Sequence, residues 1–132
     1  MKTVFVNGTF DLLHPGHIAL LNAARSMGDY LIVAIDSDRR VKELKGEDRP
    51  INTEFERIMF LSNLKAVDLV EVFDTDEELI EILKRYKPDI MLKGSDWKGK
   101  PIVGESCVKR IEYYDRFEEY STTNTIQRIT SR

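Results

Sequence analysis

TVFVNGTFDLLHPGH, residues 3–17, passes from strand through loop into helix. Thr3–Asn7 is short, apolar and β-branched, which predicts a strand covered on both faces. Gly8 ends it and lets the backbone turn without a Cβ in the way. Pro15 has a fixed φ and no N–H, both tolerated in a first helical turn. Ile18, Leu21, Ala24 and Arg25 then follow at helical spacing, and Gly28 is placed to stop the helix. The opening stretch is therefore the first half of a β-α-β unit.

Downstream the pattern repeats. Tyr30–Ile35 predicts a second buried strand, broken by Asp36, Ser37 and Asp38. Residues 39–51 are polar and punctuated by Gly46 and Pro50, so they predict a loop with at most one helical turn. Thr53 and Glu56 form a capping box for a helix over 54–65, expected to turn Phe55, Ile58, Met59 and Leu61 inward. A third strand is expected at Val67–Phe73, then a helix capped by Asp74 or Thr75 and ending near Tyr86. A fourth strand follows at Ile90–Leu92 and a fifth within Val108–Phe117, with residues 98–107 irregular. Ser121–Thr123 would cap a final helix. Strands alternating with helices predict a doubly wound parallel sheet of about five strands, helices on both faces.

A chain of 132 residues is expected to be one domain, spanning 1–132. Its net charge of −3 gives no global positive field toward nucleic acid or anionic lipid, so neither is an expected partner. Any anionic ligand must be held by local geometry. Cys107 is the single cysteine, which excludes an internal disulfide and a Cys-rich zinc site. No secretory leader and no run of about 18 apolar residues is visible, so the expected home is the cytoplasm.

In open parallel sheets, ligands bind beyond the carboxyl ends of the strands where the strand order reverses. The residues that bear chemistry follow strands accordingly. Both histidines, His14 and His17, lie after the first strand, three apart across the helix start, so their rings can converge on one phosphate. Gly8 and Gly16 clear room beside them. Peptide N–H groups of the loop, including those of Thr9 and Phe10, and of the helix start would add an anion site. Lys93-Gly94-Ser95-Asp96-Trp97 follows the fourth strand, and Ser121-Thr122-Thr123 precedes the last helix. Lys45 and Arg49 flank Gly46 in a loop placed to close over phosphates, although they, Lys42 and Arg57 also read as ordinary surface charge. Asp36, at a strand end, is placed to meet a substrate hydroxyl or simply to end the strand. Asp11, His14 and His17 also form the ligand set of a zinc site, and a purely structural role for the histidines stays open. Gly94–Lys100 imitates a P-loop, but Pro101 stands where a Ser or Thr hydroxyl is needed, and the motif is rejected.

These residues resemble a known family. Gly8-Thr9-Phe10-Asp11 followed by His14-Pro15-Gly16-His17 resembles the GTFD and HxGH signature of the cytidylyltransferase-like nucleotidylyltransferases. Ser121-Thr122-Thr123 resembles that family's second signature. The resemblance covers essentially the whole chain and implies a Rossmann-like fold. It also implies magnesium-dependent transfer of a nucleotidyl group from a nucleoside triphosphate to a phosphorylated small molecule, and a homodimer. Within the family, Arg49-Pro50-Ile51-Asn52, Glu56-Arg57, Lys93-Gly94-Ser95-Asp96-Trp97 and Ser121–Asn124 resemble the heptose 1-phosphate adenylyltransferases. Gly8–Leu13, Asp96-Trp97 and Arg116 are similar to the glycerol-3-phosphate cytidylyltransferases. On this resemblance, the catalytic groups are His14, His17 and Lys45. Gly8, Thr9, Phe10, Asp11, Gly16, Lys93, Gly94, Asp96, Ser121, Thr122 and Thr123 contact nucleotide. Asp36, Arg49, Arg57, Trp97 and Arg116 contact the acceptor, no protein-held metal is implied, and magnesium enters with the triphosphate. A non-catalytic nucleotide-binding module is the rival of another class.

Overall fold

A computed structural model describes residues 1–115 and the helix 122–130, with the backbone alone given for 122–124. Five strands form one sheet: β1 (Thr3–Gly8), β2 (Tyr30–Asp36), β3 (Leu69–Phe73), β4 (Ile90–Gly94) and β5 (Arg110–Tyr114). Their order is β3-β2-β1-β4-β5 and every pairing is parallel. The helices are α1 (Pro15–Ser26), α2 (Asp38–Lys45), α3 (Glu54–Ser62), α4 (Asp76–Tyr86) and α5 (Thr122–Thr130). The chain runs outward from β1 to β3, then crosses back to lay β4 on the other side of β1. The strand order thus reverses between β1 and β4, where a doubly wound sheet opens a crevice.

Alternation along the strands separates two cores. Val4 and Val6 of β1 face one side with Leu31, Val33 and Ile35, under Leu21 and Ala24 of α1 and Leu61 of α3. Phe5 faces the other with Ile32, Ala34 and Met91, under Leu79, Ile82 and Leu83 of α4. Both faces are covered, which is why these strands read as unbroken apolar runs.

Several expectations change. Residues 39–51 hold a full helix, α2, of which Val41 is the buried residue. Ser37 caps it, with its hydroxyl accepting from the Arg40 N–H, while Asp38 sits in the first turn and Lys42 and Lys45 in the last. A helix held by its ends and its charges has no apolar stripe to announce it. Helix α3 stops at Ser62, where the Asn63 side-chain Nδ2 donates back to the Met59 carbonyl at 2.8 Å. Its buried face is centred on Arg57 and Leu61, so Phe55 and Met59 point outward, 67% and 50% exposed. Gly28 serves close packing: a Cβ there would stand 2.7 Å from the Lys2 carbonyl oxygen. The third strand begins at Leu69, because the Val67 N–H still bonds the Leu64 carbonyl in a turn.

Candidate active site

The site grows from the β1–α1 loop. Phe10 takes a left-handed backbone, φ 51°, and its ring folds back so that a Cβ on Gly8 would lie 3.1 Å away. The same ring stands 5.1 Å from that of His17 and shields one flank of it. His14 is the N-cap of α1: its Nδ1 accepts the Gly16 N–H at 3.1 Å. His17 Nδ1 accepts the His14 N–H in return, at 3.3 Å. The two rings stack with centroids 3.8 Å apart.

A capping box made of two imidazoles has a chemical result. A ring whose Nδ1 accepts an amide carries its proton on Nε2. Each histidine therefore has its donor on the edge away from the helix start. Burial, then the neighbouring His14 and Lys45, push His17 down to about 3, so it is an uncharged donor at neutral pH.

The helix start itself is not the open anion site expected from the sequence. Pro15 has no N–H, Gly16 donates to His14 Nδ1, and His17 and Ile18 donate to the His14 carbonyl at 3.0 and 3.3 Å. Imidazole N–H groups stand in place of the amides they occupy.

A cleft of about 420 Å³ opens here, lined by Gly8, Thr9, Phe10, His14, Gly16 and His17 from the β1–α1 loop. Lys45 reaches it from the end of α2, Lys93 and Gly94 from the end of β4, and Asp96 and Trp97 from the turn that follows β4. The volume lies within the usual span of small-ligand pockets. The Lys93 ammonium rests 4.5 Å from the Trp97 ring centroid, a cation–π contact that holds it in place. Burial pulls Lys93 below the ordinary lysine value, against the opposing pull of Asp36 and Asp96. Tyr114, the last residue of β5, and Asn7 also line the cleft. Sequence reading missed both, and the signal that would have found them is their place at strand carboxyl ends.

Four expected contacts lie elsewhere. Asp11 is 1% exposed, and its carboxylate accepts from Arg49 Nε at 3.1 Å and from the Ile51 and Asn52 N–H groups at 2.8 Å each. It is a clamp on the 49–52 segment rather than a nucleotide contact, and the Asp-His-His zinc set does not form. Among the described residues, no group of three or more potential metal-ligating side chains gathers anywhere. Arg57 is fully buried and cannot meet an acceptor. Its guanidinium donates to the Asn52, Thr9 and Asp36 carbonyls at 3.1, 3.0 and 2.7 Å and to the Asp38 carboxylate at 2.9 Å. Arg49 is turned to Asp11, away from the cleft lining, with its Nη2 buried and unpartnered among the described residues. Asp36 bonds Thr9 and Arg40 and is likewise absent from the lining. Arg116 and Ser121 lie outside the described residues, as do the side chains of Thr122 and Thr123, which open α5.

Comparison with known proteins bears on the fold and the family. The family model described as cytidylyltransferase-like matches residues 5–128. The bifunctional protein HldE of a Nitratiruptor species is 47% identical over 130 residues, covering 98% of this chain and 28% of that protein. The HldE of Campylobacter concisus is 48% identical over 128 residues, 97% of this chain and 27% of that protein. This chain thus spans little more than a quarter of the length of these relatives. Among solved structures, a lipopolysaccharide core biosynthesis protein from Thermoplasma volcanium superposes with a TM-score of 0.65 at 29% identity, over 87% of this chain and 99% of that one.

Proposed function

The chain belongs to the cytidylyltransferase-like family of nucleotidylyltransferases, and from that membership we propose that it transfers the adenylyl group of ATP to a sugar 1-phosphate, heptose 1-phosphate foremost. An acceptor phosphate oxygen attacks the α-phosphorus in line. A new P–O–P bridge forms, the bond between the α-phosphorus and the bridging oxygen breaks, and pyrophosphate leaves with that electron pair. A phosphate dianion is already a nucleophile, so catalysis is positioning and charge stabilisation. The Nε2–H groups of His14 and His17 donate to the α- and β-phosphate oxygens. Lys45 draws charge from the pyrophosphate, and Lys93 meets phosphate from the β4 side of the cleft. The triphosphate enters as its magnesium complex, and magnesium offsets phosphate charge. The observation that carries the reading is the imidazole pair with both donors on one edge, in a cleft flanked by two lysines.

Resemblance to the heptose branch and the HldE relatives favour ATP and a sugar 1-phosphate. The rival within the family is CTP with glycerol 3-phosphate. Four triphosphates assayed against heptose 1-phosphate, glycerol 3-phosphate and other sugar phosphates, read by pyrophosphate release, test both. Release with ATP and heptose 1-phosphate is expected. No release with any pair would leave a non-catalytic nucleotide-binding module.

No helix among the described residues is long and apolar enough to cross a membrane. The reading places the protein in the cytoplasm, where nucleoside triphosphates are made. It also includes a homodimer, for which the outward apolar strip of α3, Phe55, Met59 and Phe60, is the surface to cover.

A further inference from the structure

A bulky L residue rarely adopts a left-handed backbone, and it does so where the surroundings impose it. Phe10 is such a residue, with φ 51°, and both of its chain neighbours are gripped from outside the β1–α1 loop. The Thr9 carbonyl accepts from Arg57 Nη1 at 3.0 Å, and the Asp11 carbonyl accepts from Asn52 Nδ2 at 2.8 Å. Asn52 also donates its backbone N–H to the Asp11 carboxylate at 2.8 Å, and its carbonyl accepts from Arg57 Nε at 3.1 Å. One residue of the α2–α3 connection therefore joins the two grips.

The bend returns the Phe10 ring over Gly8, where a Cβ would stand 3.1 Å from it, and brings it to 5.1 Å from the His17 ring. His17 has little else to fix its plane. The bond that its Nδ1 accepts from the His14 N–H is long, 3.3 Å, and its other ring neighbour is His14, stacked at 3.8 Å. A bond of that length constrains a ring weakly.

We infer that Asn52 is a positioning residue: with Arg57 it holds the peptide of Phe10 in the left-handed turn, and so keeps the Phe10 ring against His17. Asn52 does this from behind the site, since it is not among the residues that line the cleft. That the seat serves catalysis rests on the transfer reaction proposed above; the seat itself does not.

Asn52→Ala removes the bond to the Asp11 carbonyl and leaves the backbone bonds in place. The chain has two histidines, so the imidazole Cε1–H region of a ¹H–¹³C spectrum holds two signals, and His17's is the one lost in His17→Gln. An aromatic ring shifts the proton resonances of a group beside it, so the signal reads where the Phe10 ring lies. It is recorded at one fixed pH in ligand-free protein, first for Phe10→Leu, which gives the shift due to the ring. Asn52→Ala should move the His17 signal in the same direction and lower kcat by about 2–10-fold, the weight of one hydrogen bond, with KM for both substrates little changed. In a Phe10→Leu background, Asn52→Ala should add no further loss, because the two act through one contact.

A His17 signal that stays at its parent position in Asn52→Ala overturns the inference even if activity falls, since that outcome describes a structural role alone. A full additional loss in the Phe10→Leu background overturns it as well. So does a rise in KM with the signal unmoved, which would make Asn52 a substrate contact. If no triphosphate and acceptor pair releases pyrophosphate, the proposed reaction fails, while the His17 signal still decides the seat. Should Asn52→Ala not fold, Asn52→Ser replaces it: the shorter side chain stops short of the Asp11 carbonyl, the same displacement of the His17 signal is expected, and an unmoved signal overturns the inference.

Discussion

At His14 the ring that caps α1 through Nδ1 also lines the cleft, so substitution can remove the cleft donor alone or both properties together. Asparagine is among the best N-caps. His14→Asn is therefore expected to keep the melting temperature of the parent and to lose about 10²–10³ in turnover, the usual loss for one donor to a developing charge. His14→Ala should lose the same turnover and about 1 kcal/mol of stability besides. Thermal scans beside pyrophosphate assays separate the two, and near-normal turnover in His14→Asn would remove the assigned role. His17 bears on stability through pH. Its value near 3 in the fold lies below the 6.5 of an unfolded histidine, so between them only the unfolded chain takes the proton. This contribution is complete above about 6.5 and is lost as pH falls toward 3. His17→Gln should flatten the fall of Tm over that range, and an unchanged slope would contradict it. The histidine pair was legible because two rare residues fell in one strand-to-helix loop. Asp11 and Arg57 stood in the same signatures, yet nothing in residue type tells a charge that meets substrate from one that ties backbone segments together.

Strands β1, β2 and β4 were readable because burial on both faces leaves a continuous apolar signature. Helix α2 was not, since its free energy comes from a serine cap and from ion pairs of Arg39 and Arg40 to Glu43, Asp36, Asp74 and Asp76. The inward face of α3 was misassigned for a related reason: a fully buried arginine occupies the position that hydrophobicity awards to Phe55 or Met59. Gly28 shows the tightness between α1 and the start of β1. Gly28→Ala puts a methyl against the Lys2 carbonyl and the Val4 side chain, at 2.7 and 2.9 Å, and should cost about 1–3 kcal/mol. Denaturant unfolding measures it, and a neutral outcome would mean that the first residues of β1 move aside freely.

Across the molecule, the sheet reversal gathers β1, β4 and the end of α2 around one cleft, a placement that follows from strand order and was open to inference before any coordinates. What covers the outside was not. Phe55, Met59 and Phe60 expose apolar surface on one helix, and contiguous patches of that kind mark association sites. Sedimentation should give a dimer, and Phe55→Ser with Met59→Ser should shift it to monomer; a monomeric parent would refute the assignment. The occupied inner nitrogens of the two histidines bear on the reaction as a whole. A ring already gripped by a peptide amide at one nitrogen has nowhere to receive a proton while giving up the other, so neither imidazole can serve as a shuttle. On the proposed reaction, the group transfer should proceed with no hydrogen in flight, and running it in heavy water should leave its rate nearly unaltered.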